Sequence, residues 1–343
     1  MILGECIIIV DASNTIGFGH LSRCLIIGEF LKSKGLTIQF LSTKDDPEDI
    51  VKKQGFIWKK ISAIEVNLNI FFGKGKGSRI VISDINNNET FDLYEDYKNF
   101  LDVLKIQADI LLSFEDLIDL PYQSDITIIP YAGSKNLKLL HNKREKYLLG
   151  ASFFPIGANF IKKELFSKNN NNILVTMGGS DPEKITLKVL SAFNKAKIDC
   201  EINIVIGKMS KITNQEIKNF SSNIEENLIV SRNIEDLSKL MLRSDIAITN
   251  SGLTRYELAY VGVPMLIISN NQVQADYSEI FASELTGMHL GSNSLVSEGD
   301  ILSGYNSIAS NYNLRLNMIK KGQEMVDGDG LKRIYNSLFQ FCK

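Results

Sequence analysis

The stretch Cys6-Ile7-Ile8-Ile9-Val10 decides the fold, because it is a short, continuous and largely β-branched run. Such a run is typical of a strand that is buried on both faces of a parallel sheet. Apolar residues at helical spacing follow over residues 21–34, and Gly35 supplies a helix stop. The chain therefore begins with the strand-helix pattern of an α/β protein.

The segment between this strand and this helix carries the first candidate chemistry. It contains Gly17, Gly19 and His20, and His20 is one of only three histidines in the chain. Open α/β sheets bind ligands at the carboxyl edge, where loops and helix N-termini converge. A histidine near a helix N-terminus is held neutral by the helix dipole, so His20 suits the role of general base. Taken alone, the segment is equally compatible with a tight turn and a capping or core histidine.

Composition limits the classes of function. The chain has 343 residues, of which 44% are hydrophobic and 23% charged, enough for two α/β domains with separate cores. The net charge of −2 offers no basic surface for nucleic acid, and no run approaches the roughly 18 apolar residues of a membrane span. We expect a small-molecule partner, no nucleic acid and no membrane span, with the oligomeric state open. The N-terminal residues show no secretion signal, which favours the cytoplasm.

Neither the cysteines nor the lysine-glycine segment predicts a metal or a nucleotide P-loop. The four cysteines lie far apart without a C-x-x-C pair, so a zinc site is not expected. We interpret Cys6 and Cys24 as small apolar residues. The segment Gly73–Gly77 lacks the Lys-Ser/Thr pair of a P-loop, and we interpret it as a solvated loop. No cofactor is expected.

Two series of strand-like runs predict two domains, each built on a parallel sheet. After Val10, the first series lies at residues 37–42, 79–83, 109–113, 125–129 and 146–149, and the second lies at 173–177, 202–206, 228–230, 245–249 and 265–269. Four consecutive asparagines at 169–172 indicate an exposed connection. We expect a first domain over 1–168 and a second over 173–343. A last helix over Leu331–Phe341 is expected to cross back toward the first domain.

The strand over 173–177 leads into the second candidate site. Gly178, Gly179 and Ser180 follow it, and a helix is predicted over residues 183–196. Glycines allow a close approach of the backbone, Ser180 or Asp181 can cap the helix, and the exposed amides would face an anion. The pattern indicates a diphosphate site. An ordinary capped helix is the alternative.

A third site is expected after the strand over 245–249. Ser251 and Gly252 would present a hydroxyl and free amides to a phosphate at the next helix start. Glu257, about one turn into that helix, is placed to accept hydrogen bonds from two ribose hydroxyls, and a solvated helical glutamate is the alternative. Asn271 and Gln272, in the loop after the last clear strand, are expected to contact the sugar or the diphosphate, or to be solvated loop residues.

These segments together resemble glycosyltransferase-B-type (GT-B) nucleotide-sugar enzymes. The resemblance is more specific to the UDP-sugar hydrolases of the pseudaminic acid pathway, which carry D-x-S and I-G-x-G-H-x-x-R near the N-terminus. Here these blocks are Asp11–Ser13 and Ile16–Arg23. The family's M-G-G-S-D-P and S-G-x-T-R-Y-E-L-A blocks match Met177–Pro182 and Ser251–Ala259. The resemblance implies two Rossmann-like domains with an interdomain cleft.

The resemblance also implies an activity. That family hydrolyses UDP-2,4-diacetamido-2,4,6-trideoxy-β-L-altropyranose to UDP and free sugar. By this resemblance His20 activates water at the anomeric carbon, Asp11 helps to position the sugar or the imidazole, and the glycine-rich amides stabilise the leaving UDP without a metal. Arg23 is expected to bind substrate or to pair with an acidic side chain. We expect an inverting UDP-sugar hydrolase.

Two departures from the family pattern leave the sugar open. Ile9 stands where the family usually has arginine, and Asn86 stands where it commonly has tyrosine, both expected on the sugar-facing side. A glycosyltransferase, in which His20 deprotonates an acceptor hydroxyl, shares the same plan. An inactive nucleotide-sugar-binding protein is the third hypothesis.

Overall fold

The computed structural model describes residues 3–13, 17–62, 66–73, 77–85, 90–91, 93–115, 124–137, 146–164, 172–234 and 236–341. The chain forms two compact units. The first comprises residues 1–155 and 328–343, and the second comprises residues 156–327. Within the described residues, no helix is long and apolar enough to cross a membrane.

The first unit is built on a seven-stranded parallel sheet in the order β3-β2-β1-β4-β5-β6-β7. The strands are β1 Leu3–Val10, β2 Thr37–Ser42, β3 Ile57–Lys60, β4 Ser78–Asp84, β5 Ile110–Phe114, β6 Ile126–Ile129 and β7 Lys146–Leu149. Its described helices are α1 Gly19–Ser33, α2 Glu48–Lys53, α3 Tyr94–Gln107 and the last helix of the chain, α11 Gly330–Phe341. Apolar residues at period 2 along β1 face clusters on both sides of the sheet, as the run of isoleucines predicts.

The second unit is built on a six-stranded parallel sheet in the order β10-β9-β8-β11-β12-β13. The strands are β8 Asn172–Thr176, β9 Glu201–Ile206, β10 Leu228–Arg232, β11 Ile246–Thr249, β12 Met265–Ser269 and β13 Met288–Ser292. The described helices are α4 Ile185–Ala196, α5 Asn214–Asn219, α6 Ser238–Arg243, α7 Thr254–Val261, α8 Gln272–Ser283, α9 Glu298–Ser310 and α10 Tyr312–Met325. Both sheets are therefore parallel and doubly wound, and the predicted α/β class of two Rossmann-like domains is confirmed.

The strand orders locate the edge at which each unit is expected to bind ligand. In both sheets the chain order reverses beside the first strand, between β1 and β4 in one unit and between β8 and β11 in the other. Ligands bind outside the carboxyl ends of the strands at such a switch point. Asp11 and Asp84 lie there in the first unit, and Gly178 and Ser251 lie there in the second.

The structure adds to and corrects the sequence reading at several elements. The strands β3 and β13 were not predicted: β3 lies at a sheet edge with mostly exposed residues, and β13 contains Gly291 at φ +116°. The two units divide after Pro155, and the described residues 156–164 belong to the second unit. Residues 165–171, which include three of the four consecutive asparagines, lie outside the described residues.

Ile9 is the clearest correction. Its side chain is fully buried in the apolar cluster on one face of β1, together with Leu41 and Val81. Its side chain therefore lies in the core of the first unit and not on the side that was expected to face a sugar. Asn86, the second departure, lies outside the described residues.

Candidate functional site

His20 is fixed at the start of α1 by a buried carboxylate. It is the second residue of the helix, its side chain is 22% exposed, and its Nδ1 lies 2.7 Å from Oδ1 of Asp84. Asp84 ends β4, on the other side of the switch point from β1. Nδ1 also lies 3.1 Å from Nη2 of Arg23, which can only donate. Since the closer partner is an ionised carboxylate that only accepts, we assign the proton to Nδ1, and Nη2 of Arg23 then donates to Asp84 and not to the ring. The neutral ring then carries its lone pair on Nε2.

Arg23, one turn further along α1, holds the same carboxylate from a second side. Its Nε donates to Oδ2 of Asp84 over 2.8 Å and its Nη2 donates to Oδ1 over 2.6 Å. Its Nη1 donates to the Tyr131 hydroxyl over 2.6 Å, and its guanidinium lies 4.7 Å from the centre of the Phe114 ring. Arg23 is buried, so of its two predicted roles the structure has pairing with an acidic side chain.

The charge balance of this cluster keeps Asp84 ionised. Burial alone would raise its pKa, but the charge of Arg23 and the hydrogen bonds from His20 and Arg23 hold the pKa well below the usual carboxyl range. The thiol of Cys24 also donates to Oδ2 of Asp84 over 3.3 Å, so Cys24 has a polar contact beyond its expected apolar role. A histidine held in one tautomer by an ionised carboxylate is the arrangement of a general base.

Asp11 lies beside this cluster with different partners. Its Oδ1 accepts from the Ser42 hydroxyl at 2.9 Å and from the Thr43 amide at 2.8 Å. Its Oδ2 accepts from the hydroxyls of Thr43 at 2.6 Å and Thr90 at 2.9 Å. Asp11 is thus the anchor of the loop that follows β2, and the carboxylate in contact with the imidazole is Asp84.

The two glycines before His20 have different roles. Gly17 has φ +88°, which favours glycine, and its amide donates to the Ser13 carbonyl over 2.8 Å. This bond joins the described residues on either side of residues 14–16, which themselves lie outside the described residues. Gly19 is the exposed first residue of α1. We expect substrate contacts from this segment, but the Gly17 amide is already used within the protein.

In the second unit, the glycine-rich loop follows β8 as expected, but the helix behind it is capped by the protein itself. Asp181 accepts from the amides of Ile185 at 2.8 Å and Thr186 at 3.0 Å, the first residues of α4. The N-terminal amides of α4 are therefore not open to an anion, because Asp181 occupies them. Burial raises the pKa of Asp181. What remains for a ligand is the loop over 178–180.

That loop is held by its neighbours. Gly178 has φ +70°, and the Gly179 carbonyl accepts from the Met209 amide over 2.9 Å. A Cβ on Gly207 would lie 2.3 Å from the Gly178 carbonyl oxygen and 2.4 Å from that of Gly179. Gly207 is thus required for the close approach of two backbone segments, and it was not singled out in the sequence.

In the loop between β11 and α7, the Ser251 hydroxyl is a candidate ligand contact, whereas the Gly252 amide is bonded within the protein. The Gly252 amide donates to Oδ1 of Asn250 over 3.0 Å, and Nδ2 of Asn250 donates to the Met177 carbonyl over 2.7 Å. This amide is therefore not available to a phosphate, which corrects the expectation. Ser251 is half-buried, and its hydroxyl joins a network of side chains behind it.

Glu257 occupies the predicted position one turn into α7. It is partly buried, and burial together with the negative charge of Asp236 raises the pKa of Glu257 to about 7. A carboxylate in such surroundings gains from hydroxyl groups that donate to it. Asn271 and Gln272 lie at the start of α8, where Asn271 accepts from the Gln274 amide and Gln272 donates to Asp276.

Asp84 and Tyr131 are the members of the His20 cluster that sequence reasoning missed. Asp84 is the last residue of a buried strand, at the sheet edge where ligands are expected, so its position in the sequence was a usable signal. Tyr131 lies two residues after β6, and its contact with Arg23 depends on the order of β4, β5 and β6 in the sheet, which the sequence alone does not give. Among the described residues, no group of three or more His, Cys, Asp or Glu side chains lies together as a metal site would.

Similar proteins are found by sequence, although no protein-family model matches the chain. It is 27% identical to an uncharacterized protein of Methanocaldococcus jannaschii, over 82% of this chain and 59% of that protein. It is 27% identical to the spore coat polysaccharide biosynthesis protein SpsG of Bacillus subtilis, over 95% of each. The same identity relates it to the pseudaminic acid cytidylyltransferase and UDP-2,4-diacetamido-2,4,6-trideoxy-β-L-altropyranose hydrolase of Helicobacter pylori, over 78% of this chain and 45% of that protein. The chain thus spans less than two thirds of the archaeal and Helicobacter relatives.

Solved structures share the fold over nearly the whole chain. MurG of Acinetobacter baumannii has a TM-score of 0.58 at 14% identity, covering 98% of this chain and 99% of that one. The glycotransferase of kitacinnamycin has a TM-score of 0.67 at 12% identity, covering 98% of each. The Staphylococcus aureus MnaA-UDP structure has a TM-score of 0.64 at 13% identity, covering 98% and 96%. The fold is the GT-B type, as expected.

Proposed function

We propose that the protein is a nucleotide-sugar hydrolase that cleaves UDP-2,4-diacetamido-2,4,6-trideoxy-β-L-altropyranose, or a related UDP-sugar, to UDP and free sugar. The observation that carries this proposal is the contact of His20 Nδ1 with the ionised Asp84, which leaves Nε2 as a base at the carboxyl edge of the first sheet. The Helicobacter pylori relative, whose name includes this hydrolase, supports the choice of substrate.

The chemistry follows from the tautomer. Nε2 of His20 takes a proton from water as the water oxygen bonds to the anomeric carbon. The bond from that carbon to the diphosphate oxygen breaks, its electron pair leaves with UDP, and the configuration inverts. Asp84 stabilises the imidazolium that forms, because its charge lies 2.7 Å from Nδ1. Asp11 orders the loop after β2 at the same sheet edge.

The second unit supplies the nucleotide site in this proposal. The loop over Gly178, Gly179 and Ser180 and the hydroxyl of Ser251 contact the diphosphate, and Glu257 accepts hydrogen bonds from the ribose hydroxyls. Asn271 and Gln272 border the same sheet edge at the start of α8. Since this donor site needs only hydrogen-bond donors and one carboxylate, we propose turnover without a metal.

A glycosyltransferase is the second candidate, and the solved structures favour it, because several of those with this fold are glycosyltransferases. In that case His20 would take its proton from an acceptor hydroxyl instead of from water. The two candidates differ in one observable, which is release of free sugar when no acceptor is present.

An NMR time course of the purified protein with the UDP-linked diacetamido-trideoxy-altrose, without acceptor and with chelator, tests the proposal. We expect UDP and free sugar to appear, and His20→Gln to slow their release by at least about a hundredfold, since general-base catalysis contributes 10²–10⁴. Ser22→Ala, on the exposed face of the same helix, is the matched control and keeps wild-type turnover. An intact donor that still binds would indicate the transferase, and full turnover by His20→Gln would exclude His20 as the base.

A further inference from the structure

A network of buried polar side chains from β12, β13 and α8 ends at the hydroxyl of Ser251. Oγ of Ser251 lies 2.6 Å from Oγ of Ser269, and Oγ of Ser269 lies 2.9 Å from Nε2 of His289. Nδ1 of His289 lies 3.1 Å from Oε2 of Glu279, on α8. Ser269 ends β12 and His289 is the second residue of β13, so neighbouring strands hold the chain of contacts in place.

A second branch reaches Ser251 from α7 and α8. Nη1 of Arg255 donates to Oγ of Ser278 over 2.7 Å, and Oγ of Ser278 donates to Oγ of Ser251 over 2.7 Å. Arg255 is only 5% exposed, and its Nε has no hydrogen-bond partner among the described residues. None of those residues forms an ion pair with its guanidinium. A buried cation without a counter-ion stabilises negative charge placed near it.

The hydrogen atoms of this network can be assigned in two ways, which differ in the protonation of His289. Glu279 only accepts, so Nδ1 of His289 keeps its proton in both. When His289 is neutral, Nε2 accepts the Ser269 proton and Ser269 accepts the Ser251 proton, so Ser251 has none left to donate. When His289 is doubly protonated, Nε2 donates to Ser269 and Ser269 donates to Ser251. Ser251 then accepts from both Ser269 and Ser278, and its own proton is free for an outside acceptor.

We propose that His289 and Arg255 are positioning residues for the diphosphate, and that anion binding at Ser251 is coupled to protonation of His289. This inference rests on the proposed function, in which Ser251 contacts the diphosphate of UDP. The bound anion accepts a hydrogen bond from the Ser251 hydroxyl, His289 takes up a proton from solvent at Nε2, and the hydroxyl hydrogens of Ser269 and Ser251 turn toward the ligand. The one bond formed is N–H at Nε2 of His289, and solvent supplies that proton.

The charges around His289 are consistent with such a coupling. Its side chain is 4% exposed, whereas Glu279 is 73% exposed and offsets an imidazolium from the solvent side. Ser269 is its contact on β12, and Arg255 acts on it only through Ser278 and Ser251. The next residue of β13, Leu290, points to the opposite face, where α9 packs, so the acidic residues of α9 are separated from His289 by the sheet.

Proton uptake on UDP binding tests the coupling. Calorimetry in buffers of different ionisation enthalpy gives the number of protons taken up, and the difference between wild type and His289→Gln removes the contribution of UDP itself. We expect wild type to take up more protons than the variant, approaching one at the pH of largest difference. As the pH rises, the affinity of wild type should fall about tenfold more than that of the variant.

Two controls separate this role from a structural one. Ser269→Ala keeps His289 but interrupts the relay, so it should lose the extra proton uptake as His289→Gln does. Uridine has no phosphate and should bind wild type without that uptake. Equal proton uptake by wild type and His289→Gln would overturn the relay and leave the proposed function standing. Failure of wild type to bind UDP would overturn both.

Discussion

At the scale of single residues, Asp84 is the side chain on which the first unit's site depends. It is 1% exposed and accepts from His20, Arg23 and Cys24 at once. The carboxylate and the guanidinium offset each other, so the buried pair is stable only while both are present. Asp84 therefore links the stability of this unit to the tautomer of the proposed base.

Replacing Asp84 by Asn is expected to change stability and activity together. Asp84→Asn leaves the charge of Arg23 buried without a partner, so we expect the free energy of unfolding at pH 7 to fall by about 3–5 kcal/mol. Turnover should fall by about 10⁴, because the imidazole loses its fixed tautomer. Urea unfolding and the hydrolysis assay measure the two effects. Asp45→Asn, which removes a surface pair with Lys60, should cost less than about 1 kcal/mol.

The pH dependence of the same measurement has a definite sign. The pKa of Asp84 is lower in the folded than in the unfolded protein, where it is about 3.9, so in acid the unfolded state binds more protons. Its contribution is complete above that value and is lost as the pH falls toward the folded pKa. The stability difference between wild type and Asp84→Asn should therefore shrink below about pH 4. A difference that stays constant down to pH 3 would contradict this origin.

At the scale of elements, Gly207 shows how a strand end can set the shape of a loop elsewhere in the chain. It follows β9, and its Cα lies against the carbonyl groups of Gly178 and Gly179 after β8. Any side chain at 207 must move the loop that we propose to contact the diphosphate. The close approach of Gly207 to this loop arises because β8 and β9 pair in the sheet, and neither segment alone predicts it.

Gly207→Ala is expected to weaken UDP binding by tenfold or more, because the methyl group displaces the loop. The unfolding free energy should fall by about 1–3 kcal/mol, as for other overpacked sites. Calorimetric titration with UDP and urea unfolding measure both. Gly299→Ala, exposed near the start of α9 and 3.6 Å from the nearest side-chain atom, is the control, and it should bind UDP normally with unchanged or slightly higher stability. Normal UDP affinity in Gly207→Ala would exclude this loop from the site.

The strands and helices that were predicted correctly share one property: the local sequence pattern is sufficient to identify the element without knowledge of its neighbours. The isoleucine run of β1 and the apolar spacing of α1 belong to this class. The edge strand β3 and the glycine-containing β13 do not, because their pairing with a neighbour stabilises them more than their own residues do. Backbone amides show the same limit: whether those at the start of α4 and that of Gly252 are free depends on the positions of the Asp181 and Asn250 side chains.

At the scale of the whole molecule, the strand order of each sheet collects the candidate residues into two groups, one in each unit. The sequence predicted individual residues of these groups but not which of them are in contact. His20 and Asp84 are 64 positions apart, and only the pairing of β1 with β4 brings them together. The contact of Ser269 with His289 depends in the same way on β12 and β13. The sequence therefore predicts that a residue lies at the end of a strand. Which residue it contacts there depends on the order of the strands in the sheet.

The last helix, α11, belongs to the first unit although it lies at the end of the chain. Although α11 follows the second unit in sequence, Ile334 and Leu338 are buried in the core of the first unit, and Arg333 donates to the Ser152 carbonyl over 2.7 Å. Leu338→Ala should cost about 2–5 kcal/mol, because Leu338 is fully buried. Hydrogen exchange should then quicken in described residues of 3–153 and remain unchanged in those of 172–325. Leu258→Ala, fully buried in α7, should give the reverse pattern. If Leu338→Ala quickened exchange only in the second unit, the assignment of α11 to the first core would be wrong.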